Sequence, residues 1–206
     1  MSDDAVLPPG AFDKEDRGDD LAFYAPARLV THIDDRAIAA LTRLYRDLVP
    51  AGARVLDLMS SWVSHLPDDR LYAEIVGHGM NADELAANPR LDRRFVQDLN
   101  ADPTLPLETG MFDAALCCVG VQYLQRPYDV FADVQRVLTP GAPFIVSYSN
   151  RCFPTKAVAV WRSLDMNGHA SLIDHYLARA GFSNIEASLL VDGQRGDPLI
   201  AVVGRA

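Results

Sequence analysis

Residues 54–67, RVLDLMSSWVSHLP, are the stretch whose reading decides the fold. An apolar run ends on Asp57 and passes into the small turn Met59-Ser60-Ser61, followed by a short amphipathic segment. This pattern predicts strand, turn and helix, with Ser60 and Ser61 as natural N-caps of the helix. In α/β sheets ligands bind beyond the carboxyl ends of the strands, where a helix N-terminus offers unpaired N–H groups to an anion. The turn holds no glycine, so side chains stand where a ligand would otherwise approach bare backbone.

Four further strand-like runs follow: Tyr72–Gly77, Arg94–Asp98, Phe112–Val119 and Pro143–Ser149. Helical or loop segments separate them, an alternation that predicts a parallel sheet with helices on both faces. Residues 31–48 carry apolar side chains at helical spacing and stop at Pro50 and Gly52; Tyr128–Leu138 does the same between the fourth and fifth runs. The tail reads as a helical pair, Lys156–Leu164 and Leu172–Ala180, with Gly181 as a C-cap signal. Ile185–Leu190 and Leu199–Gly204 then read as an antiparallel hairpin at one sheet edge. The expected fold is therefore α/β and Rossmann-like, a mostly parallel seven-stranded sheet with an antiparallel edge hairpin. Residues 29–206 form one domain in this reading. Residues 1–28, rich in Asp and interrupted by Pro8, Pro9 and Gly10, are expected to be a mobile N-terminal segment and a lid.

The chain has 206 residues and a formal net charge of −9. Nucleic acid and anionic membranes need clustered Lys and Arg, which are scattered here, so neither is expected as a partner. No apolar run is long enough to span a bilayer, and the acidic N-terminus lacks the form of a secretory signal; a soluble cytoplasmic protein is expected. The three cysteines, Cys117, Cys118 and Cys152, have neither disulfide nor zinc spacing, and no metal site is expected. The first two, if in a strand, point to opposite faces.

The order of motifs resembles the class I S-adenosylmethionine-dependent methyltransferases, in particular the type 11 methyltransferase domain. Four patches carry the resemblance: VLDLMSS at Val55, VQDLN at Val96, FDAALCCVGVQYLQRP at Phe112 and DVQRVLTPGAPFIVSYSN at Asp133. The resemblance implies S-adenosyl-L-methionine as cofactor. It implies that Asp57, Met59, Ser60, Ser61 and Trp62 face the methionine moiety, that Asp98 accepts from the adenine amino group with Leu99 beside it, and that a backbone carbonyl around Cys118 meets the ammonium. Met59, Ser61 and Val63 stand at the positions of the family's three glycines. The loop Gly79-Met80-Asn81 stands where the family has a ribose-binding carboxylate, with Gly79 in its place, and Asn81 or Asn100 is the candidate replacement. Two readings remain open: a methyltransferase of an unidentified small molecule with a variant, glycine-poor loop, or a non-catalytic relative that binds a ligand or partner. A nicotinamide oxidoreductase is disfavoured by the absence of GxGxxG after the first strand.

Methyl transfer from a sulfonium needs positioning more than a fixed catalytic residue, although a general base assists a nucleophile that must lose a proton. Candidates are Tyr24 and His32 in the lid region and Tyr123 or Gln122 after the fourth strand; His65 is read as orienting the loop. The aromatics Phe23 and Tyr24 are expected to close over the substrate. The loop 150–161 is expected to form the opposite wall, with Arg151 and Lys156 receiving an acidic group.

Overall fold

The computed structural model describes residues 7–206. Seven strands form one sheet: β1 (Arg54–Leu58), β2 (Glu74–Gly79), β3 (Arg93–Val96), β4 (Ala114–Cys118), β5 (Pro143–Tyr148), β6 (Ser183–Val191) and β7 (Leu199–Arg205). Their order is β3-β2-β1-β4-β5-β7-β6, parallel except where β7 lies antiparallel between β5 and β6. This is the expected Rossmann-like sheet with its antiparallel edge pair.

Alternation along the strands divides the core in two. Leu56, Val76, Ala115, Cys117, Phe144 and Val146 face one side, together with α4 (Pro127–Val137) and α6 (Met166–Arg179). Val55, Ile75, Ala114, Leu116 and Ile145 face the other, under α2 (Asp35–Leu48). In α2, Ala37, Leu41 and Tyr45 recur at helical spacing on the buried face, and Asp34 caps the helix by accepting from the Ala37 N–H. The short helices are α1 (Asp20–Tyr24), α3 (Ala82–Ala87) and α5 (Ala159–Arg162). Cys117 and Cys118 do lie on opposite faces, as period-two geometry requires.

One local expectation is overturned. No helix follows β1; residues 59–73 run as irregular chain into β2. The hydroxyls that looked like caps are taken by carboxylates, Ser60 Oγ donating to Asp57 at 2.6 Å and Ser61 Oγ to Glu84 at 2.6 Å. Pro67 would in any case end a helix after little more than one turn.

The segment before α2, expected to be mobile, makes specific contacts from residue 7 onward; residues 1–6 lie outside the described residues. Ala11 is buried in the core, and its carbonyl accepts from the Val160 N–H at 2.8 Å. The Asp16 N–H donates to the Thr155 carbonyl at 2.9 Å. Lys14 and Lys156 are both buried and pair with Asp20, Lys156 also with Asp16 at 3.2 Å.

Candidate functional site

At the carboxyl ends of β1, β2 and β4, where the strand order turns outward from β1 in both directions, the chain encloses a cavity of about 560 Å³. That location and size suit a small-molecule site. Every residue singled out from the sequence as a cofactor contact lines it: Asp57, Met59, Ser60, Ser61, Trp62, Gly79, Met80, Asn81, Asp98, Leu99, Asn100 and Cys118. So do Tyr24, His32 and Tyr123 among the candidate bases.

The floor is the turn after β1. Met59 adopts φ +55°, the left-handed conformation a glycine accepts without strain, so the backbone keeps a glycine-like bend with a side chain on it. Val119, at the end of the adjacent β4, has φ +47°, rarer still for a β-branched residue. Such outliers concentrate at functional sites. The Met59 side chain packs over Gly120, where an added Cβ would meet Met59 Cβ at 2.8 Å.

His78 locks this turn. Its Nδ1 accepts from the Met59 N–H at 3.2 Å and its Nε2 lies 2.9 Å from the Gln97 carbonyl, so the ring is the Nε2–H tautomer and neutral. Burial lowers its pKa to about 4. The Ser60 N–H is also spoken for, donating to the His78 carbonyl at 2.7 Å. In contrast, the backbone N–H groups of Ser61 to His65 have no acceptor among the described residues, and all five residues line the cavity. This row of donors is what a carboxylate requires.

Asp57 is buried and accepts from Ser60 and Ser64; burial raises its pKa. Asp98 accepts from the Asn100 N–H at 2.9 Å through one oxygen and keeps the other without a donor among the described residues.

The second strand explains the missing ribose carboxylate. A Cβ at Gly79 would lie 2.6 Å from the Ser60 carbonyl oxygen, a backbone atom that cannot swing away, so no acidic side chain fits there. The proposed substitutes are occupied. Asn81 caps α3 with its oxygen and donates to the Tyr24 and Ala25 carbonyls at 2.8 and 2.9 Å. Asn100 donates to Asp20 and the Tyr123 carbonyl and accepts from the Gln125 N–H.

A further carboxylate that lines the cavity is Glu84, on α3, which sequence reasoning missed. It accepts from the Arg28 N–H at 2.7 Å and from Ser61 Oγ. Its role depends on the fold bringing α3 beside Ser61 and Arg28, which its place in the sequence does not show. A carboxylate has further lone pairs for a ligand.

The roof is aromatic and centred on Phe153. Phe23, Tyr24, His32 and Tyr123 have ring centroids 5.4, 6.4, 5.9 and 6.1 Å from it. Tyr123 is tethered, its hydroxyl accepting from the Phe153 N–H at 2.9 Å, and burial pushes its pKa up to about 12. Burial lowers the pKa of His32 and, with His32 nearby, of His65. Lys156 is fully buried on its acidic partners and does not line the cavity, which corrects its expected role toward an acidic group. Arg151 lines the cavity but pairs with Asp197 at 2.8 Å. Burial raises the pKa of all three thiols, so none is a ready thiolate ligand or nucleophile. Among the described residues no group of three or more His, Cys, Asp or Glu side chains is placed to hold a metal, and no helix is long and apolar enough to cross a membrane.

The sheet order and the crevice it creates define the class I methyltransferase architecture. Residues 60–146 match the family model described as "Methyltransferase domain", and the fold is that of the class I S-adenosylmethionine-dependent methyltransferases. No curated protein matches the chain. Among solved structures, an S-adenosylmethionine-dependent methyltransferase from Mesorhizobium loti is 17% identical, with 82% of this chain and 98% of that one covered and a TM-score of 0.58. Phosphoethanolamine N-methyltransferase 2 of Haemonchus contortus, in complex with S-adenosyl-L-methionine, is 13% identical over 81% of this chain and 52% of its own, at TM-score 0.59. The [4+2]-cyclase SpnF is 16% identical over 90% of both chains, at TM-score 0.53. At these identities the likeness is one of fold.

Proposed function

We propose that this protein is an S-adenosylmethionine-dependent methyltransferase of a small molecule. The observation that carries the reading is the juxtaposition, in one cavity, of the unpaired N–H row from Ser61 to His65 and the unspent oxygen of Asp98. These are the groups that a zwitterionic nucleoside needs at its two ends. In this reading the N–H row holds the amino-acid carboxylate, Asp98 accepts from the adenine amino group beside Leu99, and Glu84 takes the ribose hydroxyls in place of the carboxylate that Gly79 excludes. Asp57 and a carbonyl near Cys118 meet the ammonium. When bound, the cofactor supplies a methyl group made electrophilic by its sulfonium. The protein's part is to orient the acceptor against that methyl, exclude water beneath the aromatic roof, and remove a proton where the acceptor carries one.

The test is binding of S-adenosylhomocysteine to variants of the two ends. Asp98→Ala removes a charge-assisted hydrogen bond of about 1.5 kcal/mol and is expected to weaken binding about tenfold or more. Glu84→Gln keeps the shape and loses the charge, and is expected to weaken adenosine and S-adenosylhomocysteine alike. Unchanged affinity in both variants would contradict the assignment.

A further inference from the structure

The acceptor's chemistry is read from the charge balance of the cavity as a whole, the cofactor contacts Asp57, Glu84 and Asp98 included. Six carboxylates line the cavity, Asp20, Asp34, Asp57, Glu84, Asp98 and Asp197, against two guanidinium groups, Arg28 and Arg151. Asp20 is offset by Lys14 and Lys156, and Asp197 by Arg151. The other four have no ion-pair partner among the described residues; they accept from backbone or hydroxyl donors only. Arg28 has no carboxylate partner among the described residues, but the protein already holds its guanidinium. Its guanidinium donates to the Pro26 and Phe23 carbonyls and lies 4.8 Å from the Phe23 ring centre and 5.5 Å from that of Phe153. A carboxylate or phosphate ester entering here would be desolvated among carboxylates, with Arg28 the one guanidinium of the lining not paired to a carboxylate.

Shape and hydrogen bonding point the same way. Phe153 is half-buried and lines the cavity, with the Arg28 guanidinium over its ring and Phe23 and His32 edge-on to it, and rings prefer to pack against rings in offset or edge-on geometry. Most polar side chains of the cavity are engaged within the protein, as described above. The exceptions include the imidazoles of His32 and His65 and the Tyr24 hydroxyl, none of which has a hydrogen-bond partner among the described residues, and all of which line the cavity. His32 stands edge-on to Phe153, beside the wall a flat ligand would cover.

We propose that the methyl acceptor is a small, uncharged aromatic molecule with a protic nucleophile, a phenol or an azole, that lies against Phe153 and gives its proton to His32. The inference rests on the methyltransferase reading. The acceptor's O–H or N–H proton passes to an imidazole nitrogen of His32. The lone pair freed on that atom forms the bond to the methyl carbon, and the electron pair of the broken sulfur–carbon bond stays on sulfur. The protonated imidazole then loses its proton to water. Tyr24 is placed to donate or accept a hydrogen bond at the same end.

The experiment compares 2-naphthol with 2-naphthoate, one ring system carrying either a neutral hydroxyl or an anion, titrated into the protein saturated with S-adenosylhomocysteine. Naphthol is expected to bind at submillimolar concentration and at least tenfold more tightly than naphthoate. Phe153→Leu, which keeps an apolar side chain, is expected to weaken naphthol about tenfold and leave S-adenosylhomocysteine within twofold. His32→Gln is expected to leave naphthol binding within about threefold and to cut methylation of a bound phenol at least a hundredfold. Equal or tighter naphthoate binding, naphthol affinity indifferent to Phe153→Leu, or no binding of either probe to a protein that does bind S-adenosylhomocysteine would overturn the proposal. Failure to bind S-adenosylhomocysteine at all would overturn the methyltransferase reading and this inference with it.

Discussion

Gly79 and His78 show how two neighbouring residues of β2 decide what the site accepts. The Ser60 carbonyl sits where any side chain at position 79 would begin, because the Ser60 N–H is hydrogen-bonded to the His78 carbonyl and draws the turn onto the strand. Gly79→Ala therefore forces a backbone shift and is expected to cost about 2 kcal/mol, roughly 4–8 °C in Tm. An unchanged melting temperature would contradict the close approach. His78 makes stability depend on pH. Its folded pKa, about 4, lies below its unfolded value near 6.5, so the unfolded chain binds the proton first as pH falls. The neutral ring's contribution is complete above pH 6.5 and is lost as pH drops toward 4, about 2 kcal/mol of it between pH 7.5 and 5. Denaturant midpoints at those two pH values test this: the decline should be smaller by about that amount in His78→Asn, and an equal decline would contradict it. At this scale the sequence was legible where a residue keeps one job. Asp57, Asp98 and the serines of the turn could be placed at the site from their positions at strand ends. Glu84 could not, since its side chain meets Ser61 and Arg28, 23 and 56 residues away, only once the chain is folded.

Among the elements, strands were the most readable. The runs beginning at Arg54 and Pro143 start where β1 and β5 start, because buried parallel strands are continuous apolar runs with polar or proline boundaries. The segment after β1 was misread for a reason visible only in three dimensions: capping serines make a helix start only if no better acceptor is near, and Asp57 and Glu84 are near. The contacts of the N-terminal segment were not legible in its composition. Its acidic side chains suggest a solvated chain, but Asp16 and Asp20 are docked on the buried Lys156 contributed by the loop after β5, 136 residues or more away in sequence. Lys156→Met leaves those carboxylates short of a partner and is expected to cost about 3 kcal/mol, with faster proteolysis before Leu29. Adding Asp20→Asn should recover part of the loss. Unchanged proteolysis in Lys156→Met would show that the segment is held by its apolar contacts alone.

At the scale of the whole molecule, the sheet order and the cavity at its switch point come from the packing of the seven strands, which local patterns cannot give; it was the sequence of four motifs that made the fold legible. The chemistry is legible only in part, because it rests on backbone N–H groups from Ser61 to His65 whose freedom depends on there being no helix to absorb them. In the proposed reading a bent Met59, a row of open donors and Glu84 serve where the family has a glycine-rich loop and a ribose carboxylate. The most direct test of this account is a calorimetric titration of the unmodified protein with S-adenosylhomocysteine. The account predicts one site per chain with micromolar affinity. No detectable heat at millimolar ligand would contradict it, and would leave a methyltransferase fold whose cavity serves a different molecule.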